Sequence, residues 1–172
     1  PGRANLGLAV LRLTGTRAAV SMLHTARTKP PHKRRRLLQA DADADRLRFL
    51  LGRIRQVMDN HSPDVVVYEA PTGGRSARGV KSLAYVVGAI VTLCEERGVP
   101  LLSVSPAEVK LEAAGVRNAS KEAVVAAMRQ RFPTGQWDDP PPWAVDHAAD
   151  ALAAAASSLR SDTVLMAARM RS

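Results

Sequence analysis

The run VVVYEA, residues 65–70, is the feature that most narrows what this chain can fold into. Ser62-Pro63-Asp64 ends the helical pattern before it, and a Gly- and Arg-rich loop, APTGGRSARG (70–79), follows it. A short β-branched run between such breakers has the length and composition of a buried parallel strand. The apolar stretch through Cys94 then predicts a helix, and VPLLSV (99–104) predicts another buried strand. Strand, helix and strand in that order belong to an α/β fold.

Upstream, LGLAVLRL (6–13) and AAVSMLHT (18–25) are separated by Thr14-Gly15-Thr16 and predict a hairpin. Leu47, Leu50, Leu51, Ile54, Val57 and Met58 keep helical spacing and predict the first long helix. Downstream, Ser105 with Pro106 at the first helical position predicts one helix start, and Ser120 before KEAVVAAMRQRF predicts another. The proline loop PTGQWDDPPPW (133–143) leads into an alanine-rich helix from about residue 144 to 159. The order implies a mixed sheet, antiparallel early and parallel later, flanked by helices in one domain over residues 1–172. Residues 160–172 are read as a helical or frayed tail.

Hydrophobic residues make up 46% of the chain, enough for a core without disulfides or structural metal. The net charge of +9 favours an anionic partner, nucleic acid before membrane surface. No apolar run is long enough to span a bilayer, the longest being Leu83 to Cys94. The single cysteine, Cys94, reads as a buried thiol and points to a reducing, cytoplasmic setting. Aromatic residues are only 3% of the chain, which argues against a single-strand binder built on stacked rings.

Glu69 closes the 65–70 strand at its C-terminal edge, where open α/β sheets bind ligands. A helix cap or an arginine partner is the plainer account of its position. The stretch VDHAAD (145–150) is harder to explain that way. At roughly 100° per residue, Val145, Ala149, Leu152, Ala156 and Leu159 form one stripe, while Asp146, His147 and Asp150 share the opposite flank. Acids near a helix start favour the macrodipole, which suits Asp146 but neither His147 nor Asp150. An imidazole and a carboxylate spaced i, i+3 form half of a divalent-metal site, to be completed from elsewhere in the fold.

Together, PGRANLGLAVL (1–11), HTARTKP (24–30), SPDVVVYEAP (62–71), AEVKLEAAGVRNASKEAV (107–124) and DHAADALAAA (146–155) resemble, in order and spacing, the RuvC family of Holliday junction resolvases. The resemblance implies a ribonuclease H-like fold with a mixed five-stranded sheet. It implies two Mg²⁺ or Mn²⁺ ions held by Glu69, His147, Asp150 and an aspartate that would immediately precede Pro1. The expectation is that a first strand carrying that aspartate lies upstream. Asp146 becomes an additional metal-site neighbour, and Lys121 a catalytic lysine near the scissile phosphate. Arg75, Arg78, Lys81, Lys110 and Lys121 are the implied DNA contacts, and the basic run Lys33 to Arg36 is read as a solvated loop. The chain departs from the family in lacking an aromatic or apolar wedge in the loop 70–74, in Leu6 for Thr and in Ala4 for Arg. The implied activity is two-metal hydrolysis of opposing strands of a four-way junction by a homodimer. Two alternatives stay open: a diverged nuclease that cuts flaps, forks or other branched DNA, and a cleavage-deficient junction-binding protein.

Overall fold

The computed structural model describes residues 5–15, 17–28, 39–70, 77–135, 137 and 141–170, with the side chains of 39–40 and 77–79 outside that description. Arg75, Ala4, the run 33–36 and the loop 71–76 therefore lie outside the described residues, and Arg78 is described only as part of a helix backbone.

The predicted hairpin is β1 (Asn5–Thr14) against β2 (Arg17–Arg27). They pair antiparallel from Asn5↔Arg27 to Thr14↔Arg17, with an irregularity between Val10 and Leu11. Gly15 sits in the turn at φ 58°, a conformation that suits a residue without Cβ. Helix α1 (Gln39–His61) follows, then β3 (Val66–Glu69), α2 (Ala77–Arg97) and β4 (Leu101–Val104). Strands β3 and β4 pair in parallel, with Val66↔Leu101 and Glu69↔Val104 in register, so α2 is the crossover that the sequence implied.

The two starts marked by serines are observed at α3 (Pro106–Ala114) and α4 (Lys121–Arg131). Ser105 and Glu108 form a reciprocal capping box, with Ser105 N donating to Glu108 Oε2 at 2.7 Å and Glu108 N donating to Ser105 Oγ at 3.2 Å. Ser120 accepts from Ala123 N alone, because Ala123 has no side chain to return the bond. A 3₁₀ turn (Pro142–Ala144) precedes α5 (Val145–Ser157), and the tail is helical as α6 (Asp162–Met170).

The α/β class and its flanking helices are as expected, but the sheet differs from the five-stranded expectation. Among the described residues the strands form two two-stranded ladders, β1–β2 and β3–β4. Helix α5 packs on both β1 and β3, so the ladders share a helix without pairing to each other. The fifth strand of the expectation lay ahead of Pro1. Alternation along the strands divides the core in two. Leu6 and Leu8 join Leu50, Ile54, Val86, Ile90 and the buried Cys94 of α1 and α2, while Ala9 and Leu11 join α3, α4 and α5.

The wheel drawn for α5 is also corrected. Besides Ala149, Leu152 and Ala156, residues Ala148, Ala153 and Ala154 are buried, whereas Val145 and Leu159 are only half-buried. The cause is that α5 is enclosed by the hairpin, β3, α3 and α4 rather than lying on one surface. Its approach to β1 is close enough that a Cβ on Gly7 would lie 1.8 Å from the carbonyl oxygen of His147. Thr25 of β2 donates from Oγ1 to the carbonyl of Ala144 at 2.9 Å and fixes the start of the helix.

Gly7→Ala must therefore displace α5, and overpacking backbone against backbone is expected to cost about 3 kcal/mol or more. In a chain of this size that lowers Tm by roughly 6 °C or more. A thermal melt indistinguishable from the unsubstituted protein would contradict the close approach.

Candidate metal and nucleic-acid site

Glu69, Asp146, His147, Asp150, Lys110 and Lys121 come from β3, α5, α3 and α4, and α5 touches the other three elements. Glu69 is the last residue of β3, in register with Val104, the last of β4, and so stands at the C-terminal edge of the ladder. Asp150 lies near enough that its negative charge acts on Glu69. Neither acid has a hydrogen-bond or ion-pair partner among the described residues, and the arginines of the loop after Glu69 lie outside that description.

Burial raises the Glu69 carboxyl above its ordinary range, and the charge of Asp150 adds to the rise while Lys110 and Lys121 oppose it. Asp150 is raised as well, first by burial and then by Asp146, against Lys121 and His147. Two carboxylates thus sit partly desolvated, with lysines near but not bonded to them. Asp146 is different. Burial would raise its carboxyl, but the hydrogen bond from Lys121, the neighbouring His147 and the Lys121 charge outweigh burial and hold it low. Lys121 Nζ donates to Asp146 Oδ2 at 2.8 Å, and this bond raises the lysine. With its other oxygen accepting from His147 N at 2.9 Å, Asp146 already has partners, unlike Asp150.

His147 meets a residue that the sequence reading passed over. Asn5 Nδ2 lies 3.1 Å from His147 Nε2, within hydrogen-bond reach, and the Asn5 Oδ1 is buried without a partner. A buried amide oxygen without a partner is costly unless something donates a hydrogen bond to it or a cation takes its lone pair. Asn5 could have been noticed as a polar side chain heading an otherwise apolar strand; Gly7 could not, since its role depends on where α5 lands.

Among the described residues no three His, Cys, Asp or Glu side chains converge closely enough to enclose a metal ion. The donor chemistry nonetheless fits a hard divalent cation: two partly desolvated carboxylates without partners among the described residues, an imidazole and a buried amide oxygen that accepts no hydrogen bond. Asp146, neutralised by Lys121, fits less well than Glu69 and Asp150. Of the implied DNA contacts, Lys110 and Lys121 face the acids, whereas Lys81 lies on α2 with its ammonium 5.7 Å from the exposed Tyr85 ring.

Because the Glu69 and Asp150 carboxyls are raised, the stability they contribute is lost as pH rises through their folded values, and both ionise at a cost to the fold near neutrality. Glu69→Gln and Asp150→Asn are therefore expected to raise the Tm of the metal-free protein at pH 7. Each is also expected to reduce the further rise on adding Mg²⁺ or Mn²⁺, an increment that shrinks as pH falls toward the raised values. Calorimetry with and without metal measures both effects. A lower Tm in both metal-free variants would contradict the charge strain.

A profile of the family "Crossover junction endodeoxyribonuclease RuvC" matches residues 1–158. A protein of that name from Corynebacterium efficiens is 32% identical over 132 residues, covering 76% of this chain and 57% of the relative. One from Christiangramia forsetii is 30% identical over 91 residues, covering 53% of this chain and 47% of the relative. The chain thus spans about half the length of these relatives. Among solved structures, T. thermophilus RuvC in complex with a Holliday junction substrate superposes with a TM-score of 0.75 at 26% identity, covering 97% of this chain and 93% of the other.

Proposed function

The chain belongs to the RuvC family of crossover junction endodeoxyribonucleases, and from that premise we propose that it is a structure-selective DNA endonuclease that resolves four-way junctions. The observation that carries the reading is the pair of partly desolvated carboxylates, Glu69 and Asp150, which have no hydrogen-bond or ion-pair partner among the described residues and feel the charge of Lys121. The junction bound to the T. thermophilus relative supports the substrate class.

Glu69, His147 and Asp150 would hold two divalent cations, Mg²⁺ or Mn²⁺, together with the aspartate expected ahead of Pro1. Such ions, when bound, activate a water for in-line attack on the phosphodiester and stabilise the departing 3′ oxygen. The residues of the chain do the rest. Burial keeps Glu69 and Asp150 poorly compensated until cations arrive, which favours loading. Lys110 and Lys121 bring positive charge to the phosphate and offset the acids, and Lys121 is oriented by its bond to Asp146. Arg75, Arg78 and Lys81 supply phosphate contacts beyond this centre, where each adds sequence-independent affinity.

The working form is a homodimer, whose two-fold axis matches the symmetry of a four-way junction and aims two sites at opposing strands. No helix among the described residues is long and apolar enough to cross a membrane. The substrate places the protein with DNA in the cytoplasm.

The test is cleavage of synthetic four-way junctions, flaps and duplex by protein that carries its natural upstream residues. Symmetric junction nicking is expected, and Glu69→Gln, Asp150→Asn and His147→Ala are each expected to lower it by about 100-fold or more while leaving junction binding in Ca²⁺ intact. Asp146→Ala is expected to cost less. If Asp146→Ala alone abolished nicking, the ligand register would be wrong. Preferred cutting of flaps points to the branched-DNA alternative, and binding without cleavage points to the cleavage-deficient one.

A further inference from the structure

One exposed pair of side chains beside this site has no part in the roles above. Arg27, the last residue of β2, lays its guanidinium carbon 4.7 Å from the ring centroid of Trp143 in the turn before α5. Trp143 is 46% exposed, while the other tryptophan, Trp137, is 8% exposed and donates its indole N–H to the Phe132 carbonyl. Arg27 has no carboxylate partner among the described residues, whereas Arg48, Arg97 and Arg131 are paired with Asp45, Asp59 and Glu112.

The position of the pair is fixed from both ends. Arg27 is the cross-strand partner of Asn5, whose amide meets His147. Trp143 precedes His147 by four residues, about one helical turn, and Thr25 pins the intervening Ala144 carbonyl. The stack therefore borders His147 on the side of the hairpin. A pair serving only to cover the helix start would bury its indole; this one leaves nearly half of it in water.

We infer that Arg27 and Trp143 grip a nucleotide next to the scissile phosphate, the indole stacking on an unpaired base and the guanidinium bonding the backbone phosphate. This rests on the reading of the chain as a junction endonuclease. Stacking on one indole face still leaves the other for a base, and a guanidinium held by cation–π contact keeps its in-plane N–H donors for phosphate oxygens. The branch point of a junction provides unstacked bases, which a continuous duplex does not. The stretch 70–74 has no aromatic side chain, and this indole supplies a ring from another part of the chain.

Iodide quenching of tryptophan emission, run beside anisotropy with labelled junction and duplex in Ca²⁺, tests the inference. Iodide reaches Trp143 and not Trp137, so saturating junction is expected to protect the emission and duplex is not. Trp143→Ala is expected to weaken junction binding by about 10-fold, the loss of one base–aromatic stack, with little change for duplex. Arg27→Ala is expected to weaken both. Junction that binds with iodide access unchanged overturns the inference and leaves the endonuclease reading standing. Failure of the unsubstituted protein to bind junction at all overturns that reading, and this inference with it. The protection measurement requires no variant, so a Trp143→Ala protein that fails to fold does not decide the result.

Discussion

The backbone contact between Gly7 of β1 and His147 of α5 governs the arrangement of everything around it. A helix that brings a carbonyl this close to a strand cannot tolerate a side chain at the strand position, nor bulky ones on the facing turns. Gly7 and the alanines 148, 149, 153, 154 and 156 satisfy both demands. The small residues are not a sign of weak packing, because several are fully buried among the hairpin, β3, α3 and α4. With α5 seated in this way, the polar flank of its first two turns is carried to the C-terminal edge of β3. There the charge of Asp150 reaches Glu69, and His147 comes against Asn5.

That placement produces an uneven distribution of charge. The charge of Lys121 reaches three acids, and its bond to Asp146 leaves Glu69 and Asp150 without a hydrogen-bonded cation among the described residues. Two partly desolvated carboxylates close enough to feel each other are unfavourable in the metal-free fold, and a cation relieves the burial cost and the mutual repulsion together. The Lys121–Asp146 pair is weak as a stabilising interaction, the lysine side chain being 59% exposed, but it decides which acids remain available. In the proposed metal site, stability and function pull in opposite directions.

Much of this was legible in the residues. The breaker at Ser62-Pro63, the β-branched strand after it and the helix leading to residues 99–104 specify a parallel unit by local chemistry, and the structure has it. Ser105 and Ser120 mark helix starts because their hydroxyls compete for backbone donors left free there. The ranking within VDHAAD was less legible. Helical geometry sets Asp146, His147 and Asp150 on one flank, but it does not say which of them a lysine 25 residues earlier in the chain will neutralise.

What the sequence determined by itself was local: the order and type of the elements, the strand end that presents Glu69, and the i, i+3 spacing of His147 and Asp150. These follow from backbone preferences and side-chain periodicity over a few residues, which the chain carries without reference to its fold. What only the tertiary structure decided was which distant groups meet. The pairing of strands into two ladders, the burial of α5 nearly all round, the Asn5–His147 and Lys121–Asp146 contacts and the Arg27–Trp143 stack all join residues far apart in the chain. Their partners are set by how α5 settles on the hairpin, and that depends on excluded volume at Gly7 rather than on any pattern within the helix.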